Sequence, residues 1–301
     1  RASRSRISML LALVLSLGLS LPQRPIRAAA WTSRPAPSPV MGPTSGDPIR
    51  KMDFKPVPRP PARGGSPMPQ LLAQNKRWAA EVAKTPGLFD RLRQHQPKYL
   101  WIGCSDARVP SNQLLGLGPG EVFVQRNIAN LVVNVDTNLM SVIQYAVDVL
   151  KVSDIIVCGH YECGGVRAAM TNTNHGSPLE NWLRNIRDVV RLHAHELKAI
   201  ADPEARYRRL VELNAMEQTL NVYKTHCVQR ARAASASDTA QQHVVPRVHA
   251  VVYDPLGLEL KELDVDLEIE DYEEVYKLYP TAEAAMHHKT GSEGARPEYF
   301  V

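Results

Sequence analysis

From about Ser66 onward, apolar runs of strand character alternate with stretches of helical spacing, and that alternation narrows the fold more than anything else in the chain. DIIVCGH (154–160) is a strand built from β-branched residues, KYLWIGCS (98–105) has the pattern of a buried strand, and EVFVQRN (121–127) is a third. Between them DTNLMSVIQYAVDVLK opens on an Asp/Thr cap and reads as a helix to Lys151. Two long amphipathic helices follow, near Leu179–Ile200 and Glu204–Arg230. RVHAVVYD and LELKELDV then flank Pro255-Leu256-Gly257, a hairpin signal. Upstream, SPMPQLLAQNKRWAAEVAKT has helical spacing after a Ser-Pro start, and LFDRLRQ is a second short helix. The expected fold is α/β: a mostly parallel central sheet flanked by helices, with a C-terminal strand pair and an N-terminal helical arm. Functional groups in such sheets gather at the carboxyl ends of strands, where Cys104 and His160 stand. No internal repeat is present.

Charge is unevenly placed along the 301 residues. Residues 1–64 hold 11 Lys/Arg against 2 Asp/Glu, so the remaining 25 against 29 leave the rest of the chain mildly acidic at −4. The basic overall balance therefore belongs to the N-terminal segment and argues against a nucleic-acid partner. That segment, residues 1–67, carries 12 of the 23 prolines and reads as a disordered tail or targeting segment, ahead of a single domain over 68–301. Within it Ile7–Leu21 is a mostly apolar run after Arg1, Arg4 and Arg6, short for a stable membrane span. Three readings fit it: a secretory signal, a mitochondrial presequence, or an over-extended start with Met68 as the true beginning and a cytoplasmic protein. Four cysteines in a chain of this length do not make a disulfide scaffold, which leaves reduced thiols for metal or core work.

The chemistry concentrates in Cys158-Gly159-His160-Tyr161-Glu162-Cys163-Gly164-Gly165. His160 and Cys163, at i and i+3 on a strand-end turn, can converge on one ion. Zinc favours thiolate and imidazole in a tetrahedron, and a catalytic site leaves one position open. Cys104, the other strand-end thiol, is the economical third ligand. The Gly164-Gly165 pair turns the backbone into the helix VRAAM, and a thiolate at a helix N-terminus has a lowered pKa. His-x-x-Cys alone is equally a redox thiol pair or chance. Cys104-Ser105-Asp106-Ala107-Arg108 sharpens it, because a carboxylate so near a metal can ligate it or accept a proton from its water, and Arg108 can hold that carboxylate in a bidentate pair and draw it off the metal.

Together CSDARVP, VFVQRNIAN and CGHYECGGV resemble the β-class carbonic anhydrases, whose pattern is Cys-x-Asp-x-Arg followed by His-x-x-Cys. The resemblance spans roughly Ser66 to Val265. It implies a zinc lyase (carbonate dehydratase) in which a zinc-bound hydroxide attacks carbon dioxide to give bicarbonate. One Zn2+ per subunit would be held by Cys104, His160 and Cys163, with Asp106 and Arg108 as the gating dyad. Carbon dioxide is small and apolar, so the pocket is expected to be narrow and lined by Val109, Ile128 and residues of a partner, with Gly103 and Gly164 allowing close backbone approach. The resemblance also implies a homodimer or dimer of dimers, with the helix around Gln74–Val82 packed on the partner. One subset of the family has a Trp three residues before the first Cys and an Arg in the RN element. It binds bicarbonate at a non-catalytic site and switches to an inactive form with the Asp on zinc. Trp101, Arg126 and Tyr253 resemble that pocket: a guanidinium for an oxyanion, with indole and phenol donors alongside.

Other features read more plainly. Cys158 is expected in the core, Cys227 and His226 as core and surface, and Glu162 at the rim of the site. His193 and His195 are two apart and cannot share a helical face. Arg206, Arg208 and Arg209 read as a solvated helix face, and QRARAASASDTAQQHVVP as a surface loop longer than the family leads one to expect. Two rival functions use the same residues: an anion sensor with structural zinc, and a thiol-redox protein using Cys158 and Cys163. The second has the wrong spacing for C-x-x-C and leaves Asp106 and Arg108 without a role.

Overall fold

The computed structural model describes residues 67–238, 243–267 and Tyr276. The segment 1–66, on which the leader, presequence and start-site readings rest, lies outside the described residues. No helix among them is long and apolar enough to cross a membrane.

Helices α1 (Met68–Val82) and α2 (Leu88–Arg93) lead into β1 (Tyr99–Cys104), α3 (Ser111–Leu115), β2 (Val122–Asn127), α4 (Thr137–Gln144) and β3 (Asp154–His160). Five helices follow: α5 (Gly164–Ala169), α6 (Leu179–Leu192), α7 (Ala194–Ala199), α8 (Pro203–Tyr223) and α9 (His226–Ala236). The chain then returns as β4 (Arg247–Asp254) and β5 (Glu259–Leu263). The sheet order is β2-β1-β3-β4-β5, parallel throughout except for the β4–β5 hairpin. This is the mostly parallel α/β architecture that the alternation of patterns predicts. Every residue of β3 is buried, as a central strand covered on both faces must be.

Side chains alternate across the sheet, and among the described residues the core falls into three clusters, the largest of them around Cys104, Cys163 and α8. Leu100, Ile102, Ile155 and Val157 pack with α4 and α9 residues on one face. Trp101, Ile156, Cys158 and Tyr253 pack with Val109 and the α3 leucines on the other. Cys158 thus sits fully buried in an apolar cluster, and burial pushes its thiol well above the ordinary value.

Several sequence expectations are corrected. The helix from Asp136 does start on an Asp cap, whose carboxylate accepts from the Asn138 and Leu139 amides at 3.1 and 3.3 Å. It widens to a π turn over Tyr145–Val149 and stops before Lys151, which has φ +56°. The helix expected over Leu179–Ile200 breaks at His193, whose ring is drawn 2.8 Å from Glu217 on α8. The helix expected over Glu204–Arg230 breaks at Thr225, which is extended. Nor is α8 amphipathic: it packs on β3, β4 and α6, and even Asn214, Gln218 and Thr219 are buried. The stretch QRARAASA, expected as loop, is the body of α9, where alanine favours helix; residues 239–242 of that link lie outside the described residues. Arg206, Arg208 and Arg209 are not merely solvated. Arg206 donates to the Ile200 carbonyl at 2.7 Å, Arg208 pairs with Asp254 at 3.1 Å, and Arg209 pairs with Glu196 and Glu212 at 2.5 and 2.8 Å.

Candidate metal centre

The carboxyl ends of β1 and β3 lie side by side, and the turn after β3 brings Cys163 back as the residue that opens α5. Cys104, His160 and Cys163 are all buried, and their ligand atoms lie within 4.8 Å of one another. His160 Nδ1 is 2.8 Å from the Tyr161 carbonyl, so the ring proton belongs on Nδ1 and the lone pair on Nε2. That Nε2 is buried with no hydrogen-bond partner among the described residues. A buried, unpartnered nitrogen lone pair facing two thiols fits a soft divalent cation, and Cys₂His suits zinc.

The two buried thiols lie against each other and share a proton as a pair. Cys163 donates to the Cys104 sulfur and holds that thiol well below its ordinary value against the cost of burial, with the backbone of Asp106 and Ala129 adding to it. Cys163 moves up instead. The hydrogen bond to Cys104 and burial raise it, while the Val166 and Gly165 amides at the start of α5 pull it down, the direction expected of a helix N-terminus.

Asp106 lies beside the three. Its Oδ2 is 3.9 Å from His160 Nε2, while Arg108 holds the carboxylate through Nε at 3.0 Å, Nη2 at 2.7 Å and its own amide at 2.9 Å. That guanidinium outweighs the cost of burial and brings the carboxyl down to about 2. Arg108 also donates to the Glu162 carbonyl at 3.0 Å, tying the two loops together.

The remaining sequence candidates fall in different places. Gly103 is required: a Cβ there would collide with Trp101 Nε1. Gly164 is not, because a Cβ there meets nothing within 4 Å; the close approach falls on Gly165, where a Cβ would lie 2.9 Å from Ile128 and 3.2 Å from Ala129. Ile128 is 42% exposed beside that helix start. Val109 is fully buried, and its amide donates to the Asp106 carbonyl at 3.1 Å. Trp101 and Tyr253 share one buried cluster, and Trp101 Nε1 has no partner among the described residues. Arg126 is in register with Gly103 on β2, and its Nε donates to the Cys104 carbonyl at 2.8 Å while Nη2 donates to that of Asp106. Glu162 is half-buried at the rim, with φ +59°.

Sequence reading missed the groups that hold these loops from behind. Asn214 Nδ2 donates to the Ala129 carbonyl at 3.0 Å, and Tyr207 donates its hydroxyl to the Cys163 carbonyl at 2.9 Å. The available signal was polar residues on what would be the inward side of α8.

Comparison with known proteins agrees with this arrangement. The carbonic anhydrase family model matches residues 99–255. A carbonic anhydrase of Emericella nidulans is 46% identical over 213 residues, covering 69% of this chain and 90% of that protein. A chain from the crystal structures of two tetrameric β-carbonic anhydrases of Sordaria macrospora superposes with a TM-score of 0.58 at 36% identity, over 65% of this chain and 96% of that one. A Coccomyxa β-carbonic anhydrase in complex with acetazolamide gives a TM-score of 0.59 at 38% identity, over 66% and 87% of the two chains. The fold, the strand-end constellation and these matches agree: the chain belongs to the β-class carbonic anhydrase family of enzymes.

Proposed function

We propose that the chain interconverts carbon dioxide and bicarbonate, with release of a proton, at one zinc ion held by Cys104, His160 and Cys163. The observation that carries this reading is the buried, unpartnered Nε2 of His160 facing the two thiols, with the Asp106–Arg108 pair alongside. When bound, zinc acidifies a coordinated water and so makes hydroxide available near neutral pH. The chain's own groups do the rest. Two thiolates balance the dication, and because they donate more charge than imidazoles, activity should rise on the alkaline side. Asp106, ionised across the whole working range, accepts a hydrogen bond from the attacking oxygen and turns its lone pair toward the carbon. Arg108 keeps that carboxylate off the metal. Ile128 offers an apolar wall to the substrate, and Val109 supports the dyad loop from the core side. Exposed Met68, Leu71, Leu72 and Trp78 on α1 support assembly as a homodimer or a dimer of dimers, in keeping with the tetrameric Sordaria relatives. Stopped-flow hydration with zinc counted per chain tests the reading. Cys104→Ser should remove both metal and activity, and a wild-type rate no better than buffer would overturn it.

A second reading, regulation by bicarbonate at Trp101, Arg126 and Tyr253, is supported by the buried Trp101 Nε1 without a partner among the described residues. Arg126 is already committed to two backbone carbonyls. An oxyanion competing for it would loosen the Asp106 loop, and Asp106 could then turn to the metal as fourth ligand. A metal-replete crystal structure at low pH with water, not Asp106, in that position would refute the switch.

A further inference from the structure

Three consecutive carbonyls in the turn after β3 each receive a specific donor. The Tyr161 carbonyl takes His160 Nδ1 at 2.8 Å, that of Glu162 takes Arg108 Nη2 at 3.0 Å, and that of Cys163 takes the Tyr207 hydroxyl at 2.9 Å. The first orients the histidine ring, the second fixes the arginine that holds Asp106, and the third fixes the backbone of the second thiol. The turn that does this is strained, with the non-glycine Glu162 at φ +59°, a conformation that persists only where surroundings impose it.

Those surroundings come from α8, which contributes no ligand atom. Tyr207 on α8 is 1% exposed, and the Arg167 guanidinium lies 3.8 Å above its ring. Five residues on, Glu212 accepts the Tyr161 hydroxyl at 2.6 Å. The Arg208 guanidinium covers the Tyr161 ring at 3.5 Å, and the Tyr161 amide is bound to the Tyr253 carbonyl at 2.9 Å. Glu212 is itself fixed by Arg209 at 2.8 Å and Lys261 at 3.2 Å. The side chain of Tyr161 is therefore clamped at its hydroxyl, its ring face and its amide.

We propose that Tyr207 and the Tyr161–Glu212 pair are positioning residues for the metal site: from α8 they hold the strained 161–163 turn so that its carbonyls keep His160, Arg108 and Cys163 in register. The proposal rests on the metal reading above. Groups that orient a metal's ligands are typically worth about 10- to 100-fold in affinity, and each tyrosine hydroxyl here should fall near the lower end.

The experiment uses the full chain and two readouts, zinc affinity by chelator competition and the absorption bands of the cobalt(II)-substituted protein. Tyr207→Phe and Tyr161→Phe keep the rings and remove one hydroxyl each. Each should weaken zinc about tenfold and shift the cobalt bands while the far-ultraviolet circular dichroism of the fold is retained. Glu212→Gln keeps an acceptor for Tyr161 and should stay within about threefold of wild type, whereas Glu212→Leu should lose about tenfold. Should a tyrosine variant fail to fold, the Glu212 pair decides. Wild-type zinc affinity and wild-type cobalt bands in both Tyr→Phe variants would overturn the proposal, as would equal affinities in Glu212→Gln and Glu212→Leu. A wild-type chain that takes up neither metal would overturn the metal reading itself, a result distinct from either of these.

Discussion

Arg126 donates Nε–H to the carbonyl of Cys104 at 2.8 Å, across the β2–β1 boundary, and its Nη2 reaches the carbonyl of Asp106. One guanidinium on the neighbouring strand thus braces the loop that carries the first thiol and the dyad carboxylate. Truncating it takes the guanidinium donor from the Cys104 carbonyl and leaves that of Asp106 with the Val109 amide alone. Arg126→Ala should weaken zinc about tenfold and lower hydration about 100-fold at every bicarbonate concentration. Arg126→Lys, a point donor on a flexible stem, should restore only part of this. Chelator competition and stopped-flow hydration measure both. An unchanged rate in low bicarbonate with an altered bicarbonate dependence would make Arg126 an anion ligand rather than a brace.

The opposite end of the sheet from the Cys104–His160–Cys163 cluster contains a titrating group. His249 lies 2.9 Å from the buried Asp154 and 3.2 Å from Glu262, with Arg247 on Asp154 at 2.7 Å. The Asp154 carboxylate, more than the opposing burial, raises the imidazole above its ordinary value. The folded chain therefore binds a proton that the unfolded chain gives up. The stabilisation is complete below about pH 6.5 and fades as pH climbs through the raised value. The melting temperature of wild type should exceed that of His249→Gln by more at pH 6 than at pH 9, and thermal melts across that range check it. A gap that widens with pH would reverse the assignment.

How far the site can be read from sequence depends on the kind of interaction. Cys104, Asp106, Arg108, His160 and Cys163 are legible because their chemistry is carried by residue type at short spacing, and strand ends put them together. Tyr207, Asn214 and the bracing use of Arg126 are not. Their partners are backbone carbonyls, which every residue has, and only the fold decides which of them come within reach of a side-chain donor. The breaks in the long helices are hidden for the same reason. His193 belongs to an apolar-periodic stretch, and its departure from helix depends on Glu217, more than twenty residues away. Arg206, Arg208 and Arg209 look like a solvated run until the elements that carry Ile200, Asp254, Glu196 and Glu212 are placed.

The glycine pair after Cys163 separates two roles that look alike in sequence. Gly164 has open space where a Cβ would go and an ordinary φ, so Gly164→Ala should be neutral or slightly stabilising, by up to about 1 kcal/mol from reduced freedom of the unfolded chain. At Gly165 a Cβ would lie 2.9 Å from Ile128 Cγ2 and 3.2 Å from the Ala129 Cβ. Overpacking of that kind costs about 1–3 kcal/mol. Denaturant midpoints of the two variants test the contrast, and equal midpoints would show that Ile128 yields without cost.

The wall that Gly165 meets is itself held under strain. Ala129 and Asn130 both have positive φ, +63° and +50°, and only the asparagine is a residue type that adopts this readily. Asn214 on α8 donates to the Ala129 carbonyl at 3.0 Å, and Gln218 accepts from the Val132 amide at 2.7 Å while donating to Asn214 at 3.3 Å. Asn214 is fully buried and Gln218 nearly so, which excludes water as a substitute partner. Replacing Asn214 with leucine keeps the branched shape but leaves the Ala129 carbonyl and the Gln218 amide without their Asn214 partner in the core. Each such group costs about 1–3 kcal/mol, so Asn214→Leu should lower stability by several kcal/mol, read as a shifted urea midpoint with unchanged slope. Ala129→Gly relieves the strain that the amide pair restrains, because glycine takes positive φ freely. Introduced into Asn214→Leu it should recover part of the loss, about 1 kcal/mol for a single αL residue. In wild type, where the turn is already held, it should gain less. A double mutant no more stable than Asn214→Leu would mean that Asn214 serves the packing of α8 and not the turn beside the metal site.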